Sequence, residues 1–251
     1  MARALVNKAN ALGGVNKTAQ ALLIYDDVVT RLGTSAEPAQ RYQVARALYN
    51  KGVTYEAVND ANGSLAVYAS LAERFGDAQE ENLRGLVAWA LYNQAVGNGE
   101  LGRTEIEEKL YNQIATQFDA DATAECSEVV VLALNGLADN VIAAGKKLWA
   151  EGDEAGGKAR LSQAQTYLTR AAERNESHPY VLGSQAYLDF LLGNTLRATE
   201  TLARAIELGG EELRADELES ARYEKLPIDE EFIQILQALP AGRNAAENAS
   251  A

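Results

Sequence analysis

Apolar positions fall at helical spacing along most of the chain, and they do so twice within each of several successive stretches. Leu48, Gly52 and Tyr55 recur at the three- and four-residue steps of one helix face, and Leu65, Tyr68, Leu71 and Phe75 do the same further on. Val58-Asn-Asp-Ala interrupts the pattern between them, and Arg74-Phe-Gly closes it. The stretch therefore predicts two helices joined by a short turn. Sliding the chain against itself shows that this unit recurs every 43 residues. Ala2-Arg-Ala-Leu-Val-Asn-Lys, Ala45-Arg-Ala-Leu-Tyr-Asn-Lys and Ala88-Trp-Ala-Leu-Tyr-Asn-Gln align. The same offset superposes Tyr25, Tyr68 and Tyr111, then Val28, Leu71 and Ile114, then Leu32, Phe75 and Phe118. One more step reaches Val131-Leu-Ala-Leu, the start of a divergent fourth copy.

Punctuation agrees with this reading. Asn16, Asn59 and Gly102 occupy the turn, where a left-handed backbone is easiest for glycine and tolerable for asparagine. Gly33 and Gly76 stand where a helix C-terminal cap is expected, and Pro38 stands near the start of the next helix.

These residues resemble the tetratricopeptide repeat family, in a long-repeat variant common in bacterial proteins. The family's small residue of the first helix falls on Ala9, Gly52 and Ala95, and that of the second on Ala21, Ser64 and Glu107. The aromatic that follows falls on Tyr25, Tyr68 and Tyr111. The ordinary repeat has about 34 residues. The additional ones, around Ala36 to Val44 and Ala78 to Val87, are expected to lengthen the first helix of each pair at its start. Glu107 departs from the pattern, since an unpaired buried carboxylate is costly. Either that helix pair is splayed, or Glu107 reaches solvent along its own stem. The resemblance covers about Ala2 to Gly210 and implies an all-α, right-handed superhelical array of about five antiparallel helix pairs.

The second half diverges. Leu134, Leu137, Ala138 and Val141 share a face, with Gly145 at the expected turn. Leu148 and Trp149 continue the stripe beyond it, and Glu151 to Gly157 reads as the actual turn. Both helices of this pair are then lengthened, with Trp149 near the tip. A fifth copy spans Pro179 to Gly210. An acidic helix, about Glu211 to Tyr223, and a last one with Asp229 as N-cap and Phe232, Ile233, Leu236 and Leu239 on its apolar face form a terminal cap. The expected layout is one domain over 1–239, with repeats near 2–35, 36–78, 79–121, 122–177 and 178–210, a cap over 211–239 and a disordered tail over 240–251. The first copy begins without the extra turns of its successors, which predicts an excised fragment or an edge covered by another subunit.

Composition narrows the function. A net charge of -13 argues against binding a phosphate backbone and permits a basic partner. No apolar run nears the ~20 residues of a membrane span, and the start shows no secretion signal. The single cysteine, Cys126, precludes an internal disulfide and fits a reducing, cytoplasmic setting. Catalytic chemistry is sparse. His178, the only histidine, precedes Pro179 and reads as a turn residue with a capping or surface role. Cys126 reads as a buried neutral thiol. Gly152 to Gly157 lacks the lysine and hydroxyl residue of a phosphate loop. No metal-ligand cluster and no cofactor motif is seen, and an enzyme is not expected.

One helix pair cannot bury its own apolar face, so pairs must stack. In the family that the chain resembles, first helices line a groove that holds peptides or proteins. The matching positions are Arg3, Val6 and Asn10; Arg46, Tyr49 and Val53; Trp89, Tyr92 and Val96; Asn135 and Asp139; and Tyr187, with Asn7, Asn50 and Asn93 as a further row. The lysines of the family's chaperone-tail clamp are absent. The expected role is a scaffold for a protein or peptide partner, with neither nucleic acid nor membrane. The alternative is a structural segment forming a homodimer through its N-terminal edge.

Overall fold

The computed structural model describes residues 2–14, 17–222 and 226–240. Within them the chain is all helical: α1 (Ala2–Gly13), α2 (Thr18–Leu32), α3 (Pro38–Glu56), α4 (Ala61–Phe75), α5 (Glu81–Glu100), α6 (Thr104–Gln117), α7 (Ala124–Ala150), α8 (Glu154–Arg174), α9 (Pro179–Leu191), α10 (Thr195–Arg222) and α11 (Asp229–Ala238). The chain divides into two compact units, 1–129 and 130–251, with the boundary inside α7.

In the first unit each helix packs on the next, and α1, α3 and α5 also touch in succession. The 43-residue period in sequence is a period in contacts. Tyr25, Tyr68 and Tyr111 are all buried, as are Val28, Leu71 and Ile114. The Tyr49 and Tyr68 rings lie 5.8 Å apart, and their counterparts Tyr92 and Tyr111 lie 5.9 Å apart. The Arg41 guanidinium sits 5.9 Å over Phe75, and that of Arg84 sits 5.1 Å over Phe118. Gly33 and Gly76 do occupy helix C-caps, but with a right-handed backbone. Their carbonyls accept from side chains one repeat on: Arg74 Nη2 donates to Gly33 O, and Gln117 Nε2 donates to Gly76 O at 2.9 Å.

The hairpin turns recur even where the sequence does not. The amides of Lys17, Asp60, Arg103, Asp153 and Asn194 each reach back five residues, to the carbonyls of Leu12, Tyr55, Asn98, Leu148 and Asp189, at 2.8–2.9 Å. The residue before the amide is left-handed in the four turns described there: Asn59, Gly102, Gly152 and Gly193. This closure satisfies a carbonyl that the helix end leaves open. Asn16, the counterpart in the first turn, lies outside the described residues, as does 241–251 of the expected tail. Pro38 and Pro179 take the first positions of α3 and α9, where the missing donor costs little.

The fourth turn falls within Glu151 to Gly157 as expected: α7 runs through Gly145 to Ala150, Gly152 closes the turn, and Gly157 lies opposite Gly145, so the α7 and α8 backbones approach closely there. Trp149 is at the tip as expected, with its indole packed on Gly157. Glu107 is half-buried, and its carboxylate lies over Gly99, where a side chain would collide. Asp229 does not cap α11, because its carboxylate turns inward. His178 holds the N-cap position of α9, but it is buried and its side chain makes no cap. The apolar run overlooked in the sequence is α7, since Asn135, Asp139 and Asn140 interrupt it to the eye. It is long and apolar enough to cross a membrane, and 61% of its apolar window is buried inside the structure. Cys126 is buried, and burial pushes its thiol up.

Candidate functional site

In the second unit α9 packs against α8 and α10, and α10 against α11. α10 breaks at Gly210, whose φ of 70° and ψ of -159° leave the helical region. The chain beyond, 211–222, becomes a separate arm. That arm, α7 and α9 enclose an open cleft of about 560 Å³.

Its floor is set by one buried cluster. Lys146 Nζ lies 2.8 Å from Asp229 Oδ2. Asp229 also accepts from the Tyr187 hydroxyl at 2.5 Å and from the Leu226 amide at 2.7 Å. The ammonium stands 5.3 Å over the Tyr187 ring, whose other neighbour, Phe232, is 4.8 Å away. Burial, reinforced by the Asp229 carboxylate, holds the Tyr187 phenol above its ordinary range. Taking two charges out of water costs several kcal/mol unless each is fully bonded. Here the carboxylate has three donors, and its charge answers that of Lys146.

The walls are acidic. Asp139 comes from α7, and Asp216, Glu217 and Glu219 come from the arm. Tyr180 OH donates to Asp216 Oδ2 at 3.0 Å, and Asn135 Nδ2 donates to Asp139 Oδ2 at 2.9 Å. Glu217 rests on Gly183 of α9, where even one added carbon would collide with its carboxylate. Burial first, then the charges of Asp139 and Asp216, push Glu217 up to about 8. Among the described lining residues Lys146 is the sole cation, and Asp229 already holds it. Asn135, only 8% exposed, has a buried Oδ1 with no hydrogen-bond partner among the described residues, and so does Nδ2 of Asn140 beside it.

The first unit holds a smaller cleft of about 380 Å³, lined by Tyr42 of α3, Glu81, Asn82, Gly85, Leu86 and Trp89 of α5, and Glu125 of α7.

The residues expected at a groove are distributed unevenly. Asn135, Asp139 and Tyr187 meet in the larger cleft, and Trp89 lines the smaller one. Val6 is a correction: it is fully buried with Ala9, Ala21, Tyr25, Val28 and Ala47. Arg3, Asn7 and Val53 are exposed, and Val96 is half-buried. The others are engaged within the fold. Asn10 Oδ1 accepts from both Tyr25 OH and Asn50 Nδ2, at 2.6 and 3.0 Å, and Asn93 Nδ2 donates to Tyr68 OH at 3.0 Å. Arg46 bonds Gln43 at 3.2 Å and lies over Tyr42. Tyr49 and Tyr92 are half-buried against Tyr68 and Tyr111. The sequence reading missed Tyr42, Glu81, Asn82 and Leu86, and also Tyr180, Ser184, Asn140 and Lys146. Helical steps of three, four and seven from Arg46, Trp89, Tyr187 and Asp139 would have found most of them. It also missed the 211–222 arm, whose acidity was assigned to a cap.

A scan against protein-family models and a search of curated proteins each found no match.

Proposed function

We propose that the chain is a protein-interaction scaffold of tetratricopeptide-like type, which holds a peptide segment of a partner. The observation that carries this reading is the open cleft between α7, α9 and the 211–222 arm, where Asn135 Oδ1 and Asn140 Nδ2 of α7 have no hydrogen-bond partner among the described residues. Its volume suits a few side chains rather than a single ion. Recurrence of the Tyr-Tyr, Arg-Phe and carbonyl contacts in the first unit supports the repeat reading.

Selection of random phage-displayed peptides against the full chain tests the proposal. Ala143 lines the cleft and is exposed, so Ala143→Trp fills the space without entering the core. Enriched peptides should bind this variant, or Trp89→Ala in the smaller cleft, at least about tenfold more weakly. Failure to enrich any peptide, or peptides that ignore both changes, would overturn the reading.

A further inference from the structure

We infer that the cleft of the second unit seats an arginine side chain of the partner segment. The inference rests on the peptide-binding reading above and names what its larger cleft selects.

Charge is the first argument. Four carboxylates face the space from two walls, and the lone lining cation is already neutralised by Asp229. A neutral or anionic occupant would leave those carboxylates crowded together, whereas a cation relieves them. Geometry is the second. Asn135 Oδ1 is a nine-tenths buried acceptor lacking a donor, and a buried acceptor left unmade is costly. Asn135 lines the cleft, and its unmet acceptor favours an occupant that brings donors. The acceptors come from two elements: Asn135 and Asp139 from α7, Asp216 and Glu217 from the arm. A guanidinium presents five N–H donors in a plane and can address several of them at once, while an ammonium is a compact point. Tyr180 at the rim supplies an aromatic face of the kind guanidinium groups stack on. The space exceeds one side chain, which leaves room for the flanking peptide.

Fluorescence anisotropy with the full chain tests this. The probes are labelled nonapeptides of Gly, Ser and Ala with a central Arg, Lys, citrulline or Glu. Citrulline keeps the shape of arginine and removes the charge. The expected order is Arg, then Lys, then citrulline, with at least tenfold between the first and third. Asp216→Asn combined with Glu219→Gln removes two exposed cleft charges and should abolish that gap. Glu73→Gln combined with Asp77→Asn removes two exposed charges elsewhere and should preserve it. Equal binding of the Arg and citrulline peptides, preference for Glu, or equal loss in both double variants overturns the proposal. Free agmatine binding as tightly as the Arg peptide would assign the cleft to small cations and also overturn it. Should phage selection enrich peptides lacking arginine while these probes fail, this inference falls and the scaffold reading stands. If neither binds, both fall.

Discussion

Asp229 shows how a residue can carry two meanings. Leu226-Pro-Ile-Asp fits a helix start, so local pattern made it an N-cap. Lys146 and Tyr187, distant in sequence, instead draw its carboxylate into the interior. No local pattern contains that information. Asp229→Asn leaves the Lys146 charge buried and uncompensated, and is predicted to cost about 3–5 kcal/mol, read by urea unfolding. Glu217 gives a pH signature. A carboxyl raised from 4.5 to about 8 binds its proton more tightly when folded. Its contribution is intact below the unfolded value and is lost as pH rises through the folded one. Glu217→Gln should therefore melt higher than the native chain at pH 9, with the difference closing toward pH 5. Binding shares this linkage. The charged groups facing Glu217 are Asp139 and the paired Lys146 from α7 and Asp216 and Glu219 from its own arm, with the phenols of Tyr180 and Tyr187 from α9. An arriving guanidinium favours the ionised Glu217, so the Arg peptide should release a proton near pH 7. Calorimetry in two buffers of different ionisation heat measures it.

At the scale of elements, the hairpins of the first unit were legible because their core positions were written three times. Tyr25, Tyr68 and Tyr111 announced the core, and Asn59 and Gly102 announced the turns. The fourth turn was harder to locate to the residue, since Gly145, Gly152, Gly156 and Gly157 all compete in sequence. Only the left-handed φ of 90° at Gly152 identifies the closing residue. The arm at 211–222 was legible as a helix but not as a wall, because Gly210 determines its direction through backbone angles that composition does not reveal. Gly52 offers a test of packing between elements. A Cβ there would stand 2.4 Å from the Tyr68 ring. Gly52→Ala gains up to about 1 kcal/mol of helix propensity and loses more to overpacking, for a net destabilisation of about 1–2 kcal/mol in denaturant titration.

For the whole molecule, the charge of -13 acts on any basic partner before contact is made. Screening shortens from about 10 Å at 0.1 M salt to about 3 Å at 1 M. Affinity for the Arg peptide should fall at least about tenfold over that range, while the citrulline peptide barely responds, as anisotropy titrations in sodium chloride would report.

The carbonyls of Gly33 and Gly76, each held from one repeat later, set a quantum of length for the first unit. A duplication of 43 residues within it offers every new seam a matching donor and acceptor. A deletion of 42 or 44 offers none. Such a chain can grow or shrink by whole blocks while its junctions stay closed, and it tolerates slippage between tandem copies far better than single-residue drift.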